Sequence, residues 1–350
     1  MNSRTITIGN RAVGDGQPMY LIAEVGLGHD GSLGMAHSYI DAAADCGVDA
    51  VKFQTHIATE ESSKYENFRV KVFPQDDTRF DYWTRTAFTK KQLQELAAHC
   101  RDRDVHFLSS PFSEAAVDWL IDCDVPAWKV ASGEVSNLPM LKRMAATGKP
   151  ILVSSGMSSW DELAEAAQYI ESMDAPLAVF QCTTSYPCPP ETWGLNVITE
   201  MRSRLKCPVG LSDHSGTIFP ALAARMLHAS MLEFHITYHK KQFGPDVKAS
   251  LTVEQTEQLV QGIRSIESAL ASPVDKDAQA AELSELRTLF SKSLYAANDL
   301  SVGHRLTESD IEIRKPQLGI PASKIQDCIG KRIQKPVAHG EPITIDSLGD

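Results

Sequence analysis

Two histidines, His214 and His235, each close an apolar run that reads as a buried strand, VGLSDH (209–214) and MLEFHIT (231–237). Imidazoles brought to one depth at the carboxyl ends of neighbouring strands could hold a single metal ion. Two nitrogen ligands leave positions for water and substrate oxygens. That suits Mn2+ or Mg2+ working as a Lewis acid better than a closed structural zinc site. The competing reading makes each a satisfied core histidine. His29, at the mouth of the first strand, is a further candidate for the same site.

Two lysines carry the second signal. Lys52 lies inside AVKFQT and Lys129 inside AWKVAS, among residues that belong in a core. An ammonium is costly to bury without an anion beside it. Two of them with several hydroxyls make a pocket for a phosphate and a carboxylate. Two other readings stay open: each lysine pairs with an internal glutamate, Glu24 and Glu134 being candidates, or one desolvated lysine forms a Schiff base as in a class I aldolase. Polar residues recur at every predicted strand end: Glu24, Lys52 with Gln54, Ser109 with Ser110, Lys129 with Ser132 and Glu134, and Ser154 with Ser155. Thr183, Thr184 and Tyr186, then Ser212 with His214, and finally His235 complete the set. Packing alone explains this poorly, because an unpaired buried polar group costs ~1–3 kcal/mol.

The elements that must position these residues alternate regularly. Predicted strands at 20–26, 50–55, 106–112, 127–132, 151–156, 177–183, 209–214 and 231–237 are each followed by an amphipathic helical pattern, such as TKKQLQELAAHCRDR or SWDELAEAAQYIESM. Ser159 and Thr252 stand where helix N-caps belong. Strands buried on both faces and separated by helices imply parallel pairing. Eight such units over 1–270 predict an α/β protein of the (β/α)8 TIM-barrel type. No GxGxxG follows the first strand and no GxxxxGK[ST] occurs, which counts against dinucleotide and nucleotide sites. The stretch 56–88 is too long for an ordinary connection and reads as a loop that covers or shapes a site.

Beyond residue 270 the pattern changes. A polar linker with some helix spans 271–290, and a small β-rich module spans 291–350. Within that module Gly303-His-Arg-Leu-Thr-Glu-Ser-Asp-Ile311 is echoed by Gly340-Glu-Pro-Ile-Thr-Ile-Asp-Ser-Leu348, suggesting internal pseudo-symmetry. The net charge of −11 comes without a basic run, so nucleic acid and anionic membranes are poor partners. Seven scattered cysteines without CxxC spacing read as reduced thiols in a cytoplasmic protein. No signal peptide is evident at the amino terminus, and no window of 18 uninterrupted apolar residues occurs.

In order along 17–348, IAEVGLGHDG, DAVKFQT, FLSSPF, KVASGE, SSGM, QCTTSYP, GLSDHSG, EFHIT and GPDVKASL resemble the sialic acid (N-acetylneuraminate) synthase family of phosphoenolpyruvate-dependent nonulosonic acid synthases. VGHRLTESDI, KPQLGI, IGKRI and HGEPIT resemble that family's antifreeze-like (SAF) domain. The resemblance implies condensation of phosphoenolpyruvate with an open-chain 2-acetamido hexose, giving a nine-carbon 2-keto-3-deoxy acid and phosphate. Carried over by position, Lys52, Ser110, Lys129, Ser132, Ser154 and Ser212 would grip phosphoenolpyruvate. His214 and His235 would hold a divalent metal, Mn2+ foremost, with Mg2+ or Co2+ as substitutes. Glu24, Glu134, Tyr186 and Asp246 would serve the sugar or the attacking water, with Gln54, Arg314 and Lys315 as further substrate contacts. A domain-swapped homodimer is implied, the SAF domain of one copy covering the other's barrel.

The chain departs from the family's pattern at Gly28-His29-Asp30-Gly31, at Thr184 and at Lys315, all on the sugar side. The sugar is therefore left between N-acetylmannosamine and a 2,4-diacetamido-trideoxy hexose, with the tract FRVKVFPQDDTRFDYW as a place where the choice could be made. Two rivals remain beside the condensing enzyme: a lysine Schiff-base aldolase, and a non-catalytic carbohydrate- or ice-binding protein built on the tail. The tail matches only Thr307 and Thr344 at equal offsets, far from a flat threonine-rich face.

Overall fold

Alternation along the strands decides this architecture. Among the described residues eight parallel strands form the barrel wall: Tyr20–Gly26, Ala50–Thr55, His106–Pro111, Trp128–Val130, Ile151–Ser154, Leu177–Cys182, Val209–Asp213 and Met231–Thr237, with the short Leu251–Thr252 paired in parallel to the last. Each pairs with its successor except the third and fourth, which pack side by side, and the eighth pairs with the first. The sheet thus curls into a nearly closed (β/α)8 barrel. The computed structural model describes residues 4–68 and 75–349, so residues 69–74 of the tract FRVKVFPQDDTRFDYW lie outside the described residues. Several strands end earlier than their apolar runs suggest. The fourth stops at Val130 and the fifth at Ser154, so Ser132 and Ser155 already belong to the loops above.

Side chains two apart on a strand share a face. One set, including Leu21, Val51, Phe53, Val153, Val179 and Phe234, packs outward in the core shared with the helices. The other points into the barrel. Its lower members, among them Tyr20, Ile22, Ala50, Leu108, Leu152, Phe180 and Met231, form an apolar plug with Ile6, Ile8 and Val13. Those three come from an antiparallel hairpin, Thr5–Ile8 with Arg11–Gly14, that closes the amino-terminal mouth. Sequence reading had assigned no element there.

The helices carry the expected caps. Ser159 Oγ accepts the Glu162 N–H in a capping box, and Thr252 Oγ1 accepts the Gln255 N–H at 3.3 Å. Among the described residues, the long stretch after the second strand holds two helices, Ala58–Glu61 and Arg79–Thr86. Tyr82 and Trp83 of the second pack with Leu27 and Ala58 in a small apolar cluster of their own.

The chain divides into two compact units, Met1–Ala271 and Ser272–Asp350. The second begins with helices Lys276–Glu282 and Ser284–Phe290 and then turns to short antiparallel pairs, Ser293–Ala296 with Ile311–Arg314 and Arg332–Ile333 with Leu348–Gly349. Leu294, Leu306, Ile333 and Ile343 are among its core residues. The sequence echo takes one local form twice. Gly303 (φ 85°) and Gly340 (φ 82°) supply left-handed turns, and Thr307 and Thr344 each open a 3-10 turn through a capping box.

Candidate functional site

Above the apolar plug the inward-facing residues turn polar in a single step. Glu24, Lys52, Ser110, Lys129, Ser154, Ser212 and Glu233 are all buried there, within the barrel. Lys52 Nζ lies 2.7 Å from Glu24 Oε2, 3.3 Å from Ser110 Oγ and 3.9 Å from Glu233 Oε2. Lys129 Nζ donates to Ser154 Oγ at 2.7 Å and lies 3.4 Å from Glu233 Oε1, which also accepts from Ser212 Oγ at 3.2 Å. The result is a quartet of two ammonium and two carboxylate groups, edged by three serine hydroxyls.

Burial sets the protonation of this quartet as strongly as pairing does. Desolvation raises the Glu24 carboxyl, with Lys52 opposing it; burial also raises Glu233, but Lys129 and Lys52 outweigh that and hold it below its usual range. Burial lowers Lys129, whereas Glu233 and Glu24 overcome burial and raise Lys52.

Both lysines face internal carboxylates, Glu24 beside Lys52 and Glu233 beside Lys129. They are 3% and 2% exposed and sit one inward step below the rim, each facing a carboxylate. The physical reason is the cost of an unpaired buried charge, which Glu24 and Glu233 remove. Glu134 is not an internal lysine partner. It ends the 3-10 turn Ser132–Glu134, lines the cavity above and accepts from Asn137 Nδ2 at 2.9 Å. Glu233 was missed by sequence reading, although MLEFHIT places it two residues before His235 and so on the same inward face.

Over the quartet opens a cavity of about 470 Å3, whose lining includes Gln54, Ser132, Glu134, Tyr186, His235 and Asp246. That volume suits a small metabolite. His235 lines it and has His214 beside it, with ring centroids 5.4 Å apart, and Tyr186 stacks on His214 at 4.1 Å. His214 Nδ1 donates to the Thr183 carbonyl at 2.9 Å, which leaves the Nε2 lone pair for another partner. Burial, helped by His235, lowers His214 to about 3, so the ring is neutral. A neutral imidazole of fixed tautomer is the form a metal requires, and this pair fits a divalent ion completed by water or substrate oxygens. Among the described residues no group of three or more His, Cys, Asp or Glu side chains is arranged to hold a metal.

His29 does not join this pair; it stacks on Phe88 at 4.3 Å and accepts the Gly31 N–H through Nδ1. Ser132 Oγ accepts the Gly156 N–H at 3.1 Å. A Cβ at Gly156 would come within 2.4 Å of Thr184 Oγ1 and 2.7 Å of Ser132 Oγ, so these side chains would have to shift to admit one. Arg314 and Lys315 belong to the second unit, where Arg314 pairs with Glu312 and Lys315 lies 5.4 Å over the Phe290 ring. No helix among the described residues is long and apolar enough to cross a membrane.

Comparison with known proteins gives a family for this arrangement. Residues 39–275 match the NeuB family model and residues 291–349 match the SAF domain. The chain is 33% identical over 331 residues to the N,N'-diacetyllegionaminic acid synthase of Campylobacter jejuni, covering 92% of this chain and 98% of that one. It is 32% identical to the human N-acetylneuraminate-9-phosphate synthase, covering 95% and 93% of the two chains. Among solved structures, the N-acetylneuraminic acid synthetase of Leptospira borgpetersenii superimposes with a TM-score of 0.72 at 28% identity, covering 81% of this chain and 96% of that one.

Proposed function

This chain belongs to the NeuB family and carries a SAF domain, and on that footing we propose that it condenses phosphoenolpyruvate with an open-chain 2-acetamido hexose. The product is a nine-carbon 2-keto-3-deoxy acid, released with phosphate. The observation that carries this reading is the buried Lys52–Glu24–Glu233–Lys129 quartet beneath a cavity lined by His235, with His214 beside that ring.

Lys52 and Lys129, with the hydroxyls of Ser110, Ser132, Ser154 and Ser212, bind the phosphate and carboxylate of phosphoenolpyruvate. The quartet is neutral when both carboxyls are ionised. Burial raises the Glu24 carboxyl, so Glu24 is the member of the quartet that takes up a proton most readily. His214 Nε2 and His235 hold the divalent metal, Mn2+ foremost. When bound, that ion supplies Lewis-acid polarisation of the sugar aldehyde. Gln54, Tyr186 and Asp246 orient the open-chain sugar over the quartet.

The enol π pair of phosphoenolpyruvate forms the new C–C bond from C3, and the aldehyde oxygen takes a proton. Positive charge then develops at C2, where the Glu24 and Glu233 carboxylates stabilise it. Water adds at C2 and gives its proton to Glu24 or Glu134, a transfer typically worth ~10²–10⁴-fold. The C2–O bond to phosphorus then breaks on the carbon side. Its electron pair leaves with phosphate, and the C2 hydroxyl loses its proton to become the ketone. The same chemistry weighs against a Schiff base on Lys52, whose ammonium is held by two carboxylates. Seven free, buried cysteines support a cytoplasmic setting, and a domain-swapped homodimer through the SAF domain completes the proposal.

The test is incubation with phosphoenolpyruvate, Mn2+ and a panel containing N-acetylmannosamine and 2,4-diacetamido-trideoxy hexoses, scored by phosphate release and product mass. Condensation that is lost on chelation and in His235→Ala supports the reading. Undiminished turnover in EDTA, or borohydride trapping of substrate on Lys52 or Lys129, refutes it.

A further inference from the structure

Gln54 stands where the second barrel strand meets the cavity, and its carboxamide is held at both ends. Nε2 donates to Glu24 Oε1 at 3.1 Å, while Oε1 faces His56 Nε2 at 3.1 Å. The reversed amide would aim an oxygen at the Glu24 carboxylate, so this orientation is the one that satisfies both neighbours. His56 is itself fixed. It is 3% exposed, its Nδ1 lies 2.6 Å from Glu61 Oε1, and its ring is sandwiched between Trp83 and Phe112 at 3.8 and 4.4 Å, within 12° of parallel. The Arg79 guanidinium lies over Trp83 at 4.7 Å. A stack and a hydrogen-bond chain therefore run from the helix Arg79–Thr86 and from Glu61 to one cavity-lining amide.

We propose that His56 is a positioning residue for the sugar: with Nδ1–H donated to Glu61 Oε1 and Nε2–H donated to Gln54 Oε1, it makes Gln54 show the cavity a hydrogen-bond donor instead of an acceptor. Gln54 Nε2 carries two hydrogens, and among the described residues Glu24 takes one. The other is directed to an oxygen of the open-chain sugar. This inference rests on the condensing reaction proposed above. It assigns to the stretch after the second strand a task beyond covering the site, namely fixing the polarity of one contact. Glu61, with one oxygen on His56 and a side chain 7% exposed, is the outer anchor.

The variant His56→Phe/Glu61→Gln tests this, since it keeps an aromatic ring in the stack and leaves no unpaired buried carboxylate. Freed from His56, the Gln54 amide keeps only its bond to Glu24 and is no longer fixed at its oxygen end, and the loss of one oriented hydrogen bond is worth about tenfold in affinity. The expected result is a sugar KM about tenfold higher, with kcat and the phosphoenolpyruvate KM within about twofold of wild type. Gln54→Ala should raise the sugar KM similarly, and adding the double change to it should raise it no further. Glu61→Gln alone, a milder change that retains His56, should give a smaller rise in the same parameter. An unchanged sugar KM overturns the inference. So does a parallel loss in kcat and both KM values that adds in full to Gln54→Ala, which marks a merely structural role. Failure of the wild type to turn over any 2-acetamido hexose overturns the functional reading itself, a result distinct from either.

Discussion

Replacing Glu233 by glutamine probes the countercharge that holds the lysine floor together. The carboxylate lies 3.4 Å from Lys129 Nζ and 3.9 Å from Lys52 Nζ. At an effective dielectric of about 20, those separations correspond to about 5 and about 4 kcal/mol of attraction. The measurable loss is smaller, because Lys52 retains Glu24 and Lys129, already lowered by burial, can shed its proton. About 3–5 kcal/mol is the expected destabilisation of the ligand-free barrel, the usual penalty for breaking a buried pair. Urea unfolding, followed by a barrel-specific probe such as tryptophan fluorescence, measures it. Inorganic phosphate gives the second arm. With the internal carboxylate gone the ammonium groups bind an added anion more tightly, so phosphate at ten times its Kd should restore about 1.4 kcal/mol to the variant and less to the wild type at the same concentration. A Glu233→Gln protein as stable as wild type, with no greater response to phosphate, would refute the countercharge role.

Three further outcomes follow from the geometry. Gly156→Ala should cut kcat/KM for phosphoenolpyruvate by more than about tenfold in steady-state assays, because its Cβ would displace Ser132 Oγ from 2.7 Å. Ile8→Ala should cost the barrel ~2–4 kcal/mol in urea unfolding, since the side chain is fully buried in the plug that closes the amino-terminal mouth. In the second unit, burial pushes the Asp310 carboxyl up, but bonds from His304 and Thr307 outweigh it and hold it below the usual carboxylate range. A depressed acid stabilises the fold above its unfolded value and loses that contribution as pH falls through the lowered one. Acid titration followed by NMR of the second unit should therefore show this turn melting below about pH 4 in wild type and a flatter profile in Asp310→Asn.

The barrel was legible because its strands repeat one pattern: an apolar run flanked by helical periodicity, eight times over. The inner polar layer was legible for a related reason. Lys52 and Lys129 break runs that otherwise belong to a core, and such breaks are rare without a purpose. Their partners were harder to read. Glu24, a candidate from the sequence, stands beside Lys52 on the neighbouring strand, but Glu233 meets Lys129 across the barrel interior, and distances between side chains on distant strands leave no mark on local sequence. Glu233 does leave one, being two residues from His235 on the same strand and so on the same inward face. His29 was read as a site residue because it sits at a strand mouth, but the turn at Asp30, with φ 47°, accompanies a ring stacked on Phe88 instead. The floor hairpin carried a readable signal, alternating TITI followed by Gly9-Asn10, that is weak in so short a stretch. The His56 stack was not legible at all, since Trp83 and Phe112 reach it from separate elements.

Oxygen-18 tracing of the reaction bears most directly on the chemistry assigned to this barrel. Phosphoenolpyruvate labelled at the bridging C2 oxygen is incubated with the protein, Mn2+ and the accepted 2-acetamido hexose, and phosphate and sugar acid are weighed by mass spectrometry. The expected result is label wholly in phosphate, an unlabelled nine-carbon 2-keto-3-deoxy acid, and no product once Lys129 is replaced by methionine. Label retained in the sugar acid, or full turnover by the Lys129→Met protein, would contradict it.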